Sequence, residues 1–198
     1  LNILEYACGI ATRTRAMVVA ARAVNPHIQV VVTRKNFPGT KRVAVKAAVA
    51  GGASPHRLGL SETILVFDHH LTFLGGLEAG LAGIDDYRRA APEKKIAIEV
   101  KTLEDGVKAA QAGVDIIQVD KMEPEQLAEL VRAVRTAPHP TVVSAAGGVN
   151  AGNAAAYAAT GVDLLVTSWV YWGKPADIGV SITSQPASSV TLRPGTSR

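Results

Sequence analysis

The apolar run "IQVVVT" (28–33) stops at two adjacent cations, Arg34 and Lys35, and a Pro-Gly turn follows at 38–39. Later runs carry carboxylates instead. Glu99 interrupts "IAIEV" (96–100), and Asp120 closes "DIIQVD" (115–120) with Lys121 next to it. Period-two alternation puts Glu99 on one face with Ala97, while Ile96, Ile98 and Val100 take the other. An inward carboxylate is costly unless a cation or hydrogen-bond donor offsets it. An ion pair of Glu99 with Lys35 or Arg57, and a turn cap at Asp120, are the plain structural readings. The functional reading is a site for a polyanion handled with a divalent cation, since Mg²⁺ binds through carboxylates plus substrate phosphates. "AAGGVN" (145–150) supports it: Gly147 and Gly148 let backbone N–H groups approach a phosphate, and a helix expected from about Ala151 directs its positive end there. "SPHRLGL" (54–60) brings His56 and Arg57 to the site if that loop folds over it, and Thr167 and Ser168 end the run "DLLVTS" (163–168). His69 and His70 are expected at a strand end, pointing in opposite directions and without a third metal ligand.

These residues must be held by a frame, and the chain repeats one. Six β-branched runs, at 28–33, 63–67, 96–100, 115–120, 141–146 and 163–168, alternate with Ala-rich helical segments such as "LEDGVKAAQAG" and "EPEQLAELVRAVRTA". Near-continuous apolar strands separated by helices imply a parallel sheet covered by helices. Repetition of the unit favours an α/β barrel, incomplete because about six strands fall short of eight. In such barrels the C-terminal strand ends carry the site, which is where the residues named above lie.

Composition narrows the function. With 198 residues the chain suits one α/β domain, and its 47% hydrophobic content is mostly Ala, Val and Leu with 5% aromatics. The net charge is +4, but the last sixteen residues hold two arginines and no acid, which leaves +2 for the rest. Without a Lys/Arg stripe interleaved with aromatics, nucleic-acid binding is not expected. Cys8 is the single cysteine, which excludes a disulfide or cysteine-zinc site within one chain, and it is expected as a small buried hydrophobe on the first helix. No run is long enough to span a bilayer or reads as a secretory leader, so a cytoplasmic protein is expected. The opening "LNILEYACGIATRTRAMVVAARAV" starts inside a helix with no cap and no initiator Met, as if an N-terminal part were missing. Residues 1–182 are expected to form the barrel domain, and the Ser/Thr/Pro-rich 183–198 a disordered tail.

In their order, "TRKNFPGTK", "HRLGL", "IEV", "VDK" and "AAGGVN" resemble the type II phosphoribosyltransferases typified by quinolinate phosphoribosyltransferase, over Leu1 to about Ile182. The resemblance implies the incomplete barrel that forms the C-terminal domain of that family, a homodimer or higher homo-oligomer, and phosphoribosyl pyrophosphate with Mg²⁺. By motif, Lys35, Glu99 and Asp120 would be catalytic, with Glu99 and Asp120 facing the Mg²⁺. Gly147, Gly148, Thr167 and Ser168 would hold the 5-phosphate, and Arg34, His56 and Arg57 the acceptor. Arg34 and Lys35 would divide acceptor and pyrophosphate between them by pointing in opposite directions. Phe67, in "VFDHH", stands where the quinolinate enzymes carry a lysine. Together with "FPGTK", "SPHRLGLSETILVF" and "AYAATGVDLLVTS", it makes the chain resemble most the branch called ModD, encoded beside molybdate transporters. The expected activity is therefore phosphoribosyl transfer to a small nitrogen acceptor with release of pyrophosphate. The rivals are an authentic quinolinate enzyme, a non-catalytic barrel binding phosphate or an oxyanion, and a phosphosugar isomerase or aldolase using Lys35 or Lys121 as a Schiff base.

Overall fold

Each of the six apolar runs forms a strand, and a seventh of two residues joins them. The computed structural model of the protein describes residues 1–184, so the expected tail lies, from residue 185 on, outside the described residues. In chain order the elements are α1 (Asn2–Arg22), β1 (Gln29–Val32), α2 (Lys41–Ala50), β2 (Ser54–Pro55), β3 (Ile64–Val66), α3 (Asp68–Leu74), α4 (Leu77–Ala82), α5 (Ile84–Ala90), β4 (Ile96–Val100), α6 (Leu103–Gln111), β5 (Ile116–Asp120), α7 (Pro124–Arg135), β6 (Val142–Ala146), α8 (Ala154–Ala159) and β7 (Leu164–Thr167), followed by a 3₁₀ turn at Trp169–Tyr171. The strands are all parallel, in the order β2-β1-β7-β6-β5-β4-β3. The sheet curls but does not close: β2 and β3 are its two free edges, and residues 56–63 link them along the chain.

Alternation along each strand separates two apolar layers. Val30, Val32, Ile96, Ile98, Val100, Ile117, Val119, Val143 and Leu165 face the helices and belong to one large buried cluster. On the other face a small cluster of Val31, Ala146 and Val166 fills the barrel interior. α1 contributes Ile10, Met17, Val18 and Ala21 to the outer layer and packs between α2 and α8. Cys8, expected to be buried on this helix, is instead exposed. It lies on the outer face, because the buried residues of α1 follow the 9/10–14–17/18–21 stripe and position 8 falls off it.

The recurring "GVD" before a strand has a structural job. Asp115 accepts from the first amide of the neighbouring strand β4 (Ile96 N, 2.9 Å), and Asp163 from the second amide of β6 (Val143 N, 2.8 Å). Each aspartate also meets a cation, Lys95 at 3.0 Å and Arg135 at 2.9 Å. Asp163→Ala is expected to lower unfolding stability by about 1–3 kcal/mol, most of it from the strand amide left without its acceptor. Urea denaturation of the two proteins checks this.

Candidate active site

The C-terminal ends of the strands enclose a cleft of about 840 Å³, and all eleven residues singled out from the sequence line it: Arg34, Lys35, His56, Arg57, Phe67, Glu99, Asp120, Gly147, Gly148, Thr167 and Ser168. Ala146 and Val166 of the inner cluster also line it, so it sits directly on the barrel interior.

One wall is cationic. β1 ends at Val32, and the loop beyond it carries both Arg34 and Lys35 into the same cleft. Both lie beyond the strand, so strand alternation does not by itself set the directions of their side chains. Thr33 fixes this loop by accepting from the Lys35 amide (3.1 Å) and sharing a hydrogen bond with Ser168 (2.6 Å). The loop of His56 and Arg57 does fold over the cleft, because the His56 amide donates to the carbonyl of Val32 (2.9 Å). Burial, and then the Arg57 cation, push His56 below its ordinary value, with Glu62 opposing. Arg57 is itself lowered by burial and by nearby Arg34, again against Glu62. Among the described residues none of Arg34, Lys35 and Arg57 has a carboxylate within ion-pair distance. Several cations held close together, with Glu62 nearby but outside ion-pair distance, favour an anionic ligand.

The facing wall is acidic. Glu99 and Gln118 are register partners on β4 and β5, and Gln118 donates to Glu99 Oε2 at 2.7 Å from a position only 5% exposed. Burial raises the Glu99 carboxyl above its ordinary value. The Gln118 hydrogen bond opposes this, nearby Asp120 and Asp68 add to it, and Lys101 opposes it. Asp68 pairs with Lys101. Gln118 escaped the sequence reading although a signal was present: it alternates with Asp120 in "DIIQVD", the same period-two pattern that singled out Glu99. Gln118→Leu is expected to move the Glu99 titration to higher pH, since the hydrogen bond favours the charged form. Carbon-13 NMR of the Glu99 carboxyl in the two proteins reads the shift. Among the described residues no group of three or more His, Cys, Asp or Glu side chains is arranged to hold a metal.

Between the walls runs the glycine loop. Gly147 (φ +82) and Gly148 (φ +79) are both left-handed, a conformation that aims successive amides into a concavity. Neither amide has an acceptor among the described residues. The helix expected from Ala151 starts three residues later, at Ala154. The intervening turn is closed by the Asn150 and Asn153 side chains, which take the amides of Gly152 and Asn150 at 2.8 Å each. Phosphate affinity here therefore rests on the paired glycine amides more than on the helix end. Thr167 donates to the Val149 carbonyl (2.7 Å) and accepts from the Trp169 amide (3.0 Å). Its hydroxyl is thus committed to bracing the loop, while Ser168 keeps hydrogen-bonding capacity toward the cleft.

The edge strand β3 supplies Leu65 and, just past its end, Phe67. His69 and His70, expected on a strand with opposed side chains, lie in the first turn of α3, and their ring centroids are 4.1 Å apart. The Phe67 amide donates to His70 Nδ1 (3.0 Å), and the Phe67 ring stacks on His69 at 5.6 Å and 18°.

Comparison with known proteins agrees with this geometry. Residues 10–181 match the family described as quinolinate phosphoribosyl transferase, C-terminal domain. Two relatives named pyrophosphorylase ModD, from Pasteurella multocida and Rhodobacter capsulatus, are 39% and 43% identical over 92% and 78% of this chain. The chain spans 65% and 59% of their respective lengths. The crystal structure of a nicotinate-nucleotide pyrophosphorylase from Ehrlichia chaffeensis superposes with a TM-score of 0.80 at 27% identity, over 90% of this chain and 63% of that one. The chain belongs to the quinolinate phosphoribosyl transferase family, and its curled, open sheet is that family's C-terminal barrel.

Proposed function

We propose that this member of the quinolinate phosphoribosyl transferase family moves the phosphoribosyl group of phosphoribosyl pyrophosphate onto a ring nitrogen of a small acceptor and releases pyrophosphate. Residues 1–182 form the domain that carries the reaction. One observation supports the reading above others: a cationic wall without ion-pair partners, two adjacent carboxylates and a left-handed glycine pair meet in a single cleft.

The bond from the sugar's anomeric carbon to the pyrophosphate oxygen breaks, and its electron pair leaves with pyrophosphate. The acceptor nitrogen's lone pair then makes the new carbon–nitrogen bond. Positive charge develops on the sugar ring in between, and Glu99 and Asp120 stabilise it. Lys35 neutralises the departing pyrophosphate, with Arg34 beside Arg57 on the acceptor side. The amides of Gly147 and Gly148, with Ser168, hold the 5-phosphate, while Thr167 keeps their loop in place. Arg57 and His56 receive the acceptor. Glu99 and Asp120 also fit Mg²⁺ shared with substrate oxygens, since both offer hard oxygen donors and, among the described residues, no group of three or more such side chains would replace the substrate's share. When bound, the ion would supply further neutralisation of the leaving group. No helix among the described residues is long and apolar enough to cross a membrane. Membership of the family, not that absence, is the ground for proposing a cytoplasmic homo-oligomer, a dimer in its simplest form.

Pyrophosphate release, measured with phosphoribosyl pyrophosphate, Mg²⁺ and a panel of nitrogen heteroaromatics, tests the proposal. Acceptor-dependent release is expected. Binding without release would favour a non-catalytic phosphate barrel, and a borohydride-trapped phosphosugar adduct at Lys35 or Lys121 would favour Schiff-base chemistry.

A further inference from the structure

We propose that the acceptor is a flat nitrogen heteroaromatic bearing a single anionic group, held with that group toward Arg57 and its uncharged edge against Leu65 and Phe67. The inference rests on the transferase reading and names the acceptor class for the same cleft. It comes from the seam where the barrel stays open. β2 and β3 are the two free edges of the sheet, and their contributions to the cleft differ in kind. His56 and Arg57 follow β2 directly, with Arg34 close enough to disfavour the charge on Arg57. Leu65 and Phe67, from the other edge, offer hydrocarbon and an aromatic ring.

Phe67 is held in place. Its amide is bound by His70 and its ring stacks on His69. The register Leu65↔Ala97 and Val66↔Ile98, continued by one residue, sets Phe67 beside Glu99. A second carboxylate on the acceptor would therefore meet one of two surroundings. Against Leu65 and Phe67 it would lose water without gaining a counter-ion. Toward Glu99 and Asp68 it would meet like charge. The cations on the acidic side are engaged, Lys101 with Asp68 and Lys121 with Asp120 at 4.0 Å, which leaves His69 as the donor beside Phe67. A single anionic group at the arginine side, with a neutral ring edge at the phenylalanine side, meets neither penalty.

Calorimetric titration of the protein with pyridine-3-carboxylate, pyridine-2,3-dicarboxylate and pyridine-3-carboxamide tests this, with and without phosphoribosyl pyrophosphate and Mg²⁺. The monocarboxylate is expected to bind about tenfold or more tightly than the other two. Phe67→Leu should keep that order, because the wall stays apolar. Phe67→Lys should reverse the order of mono- and dicarboxylate, because it adds the missing counter-ion. Circular dichroism of both variants confirms that they fold. Dicarboxylate binding as tight as monocarboxylate in the unaltered protein, no binding of the monocarboxylate, or an unchanged order in folded Phe67→Lys would each overturn the proposal. The titration with phosphoribosyl pyrophosphate alone is a separate readout. Its failure would remove the transferase reading, while the acceptor order is measured without it.

Discussion

Replacing Glu99 with glutamine is expected to slow pyrophosphate release by about 10²–10³-fold, the scale of losing one charge-stabilising group in a preorganised site. The variant keeps the size of the side chain and a hydrogen-bonding partner for Gln118, so the loss comes from the charge alone. Stability should move the other way. Burial raises the Glu99 carboxyl from its ordinary 4.5, with Asp120 and Asp68 adding to the shift. Folding thus disfavours the charged form. A group raised in this way supports the fold below its unfolded pKa, and that support is lost as pH rises through the folded value. At pH 7 the glutamine variant should be at least as stable as the parent, and the difference should vanish near pH 4. Urea denaturation at the two pH values, beside the rate measurement, separates a catalytic charge from a structural one. Equal loss of rate and stability at pH 7 would mean that Glu99 is structural.

Gly147→Ala is expected to abolish phosphate binding and to cost about 2–4 kcal/mol of stability, from left-handed strain plus overpacking. A methyl group there would lie 2.5 Å from Asp120 Oδ1, 2.5 Å from Lys121 Cγ and 2.9 Å from the Lys121 amide nitrogen. The Lys121 backbone has little room to yield, since its amide donates to the Ala146 carbonyl at 2.9 Å. Gly148→Ala makes the contrasting case. A methyl group at that position meets nothing within 4 Å, so only strain of about 1–2 kcal/mol applies. That open space is where the proposed phosphate would sit, so Gly148→Ala should lose binding with much less loss of stability. Thermal unfolding and phosphoribosyl pyrophosphate titration of both variants check the pair.

Much of this cleft was legible in the chain because parallel strands report themselves as apolar runs, and because barrels gather their chemistry at one end of those runs. Glu99 stood out since a carboxylate breaking such a run needs a reason. Gln118 carried the same signal more faintly, an uncharged side chain on the inward face. Ser54–Pro55 escaped because two residues show no periodicity, and its existence depends on pairing with β1. The placement of His69 and His70 turned on where β3 ends: helix α3 begins at Asp68, so a two-residue period was applied to a helical turn. Cys8 was misread because "LEYACGIA" is apolar nearly all round, and only packing against α2 and α8 selects the buried stripe. Thr167 lines the cleft, but the bracing role of its hydroxyl is not legible in the chain, because its partners, Val149 and Trp169, come from loops whose geometry no spacing reveals.

The most direct test of the account is calorimetric titration of the protein with phosphoribosyl pyrophosphate in the presence and absence of Mg²⁺, beside the Glu99→Ala/Asp120→Ala double variant. The account predicts Mg²⁺-dependent binding to the unaltered protein and its loss in a double variant that remains folded. Binding that is indifferent to both the metal and the two carboxylates, or no binding at all to the unaltered protein, would contradict it.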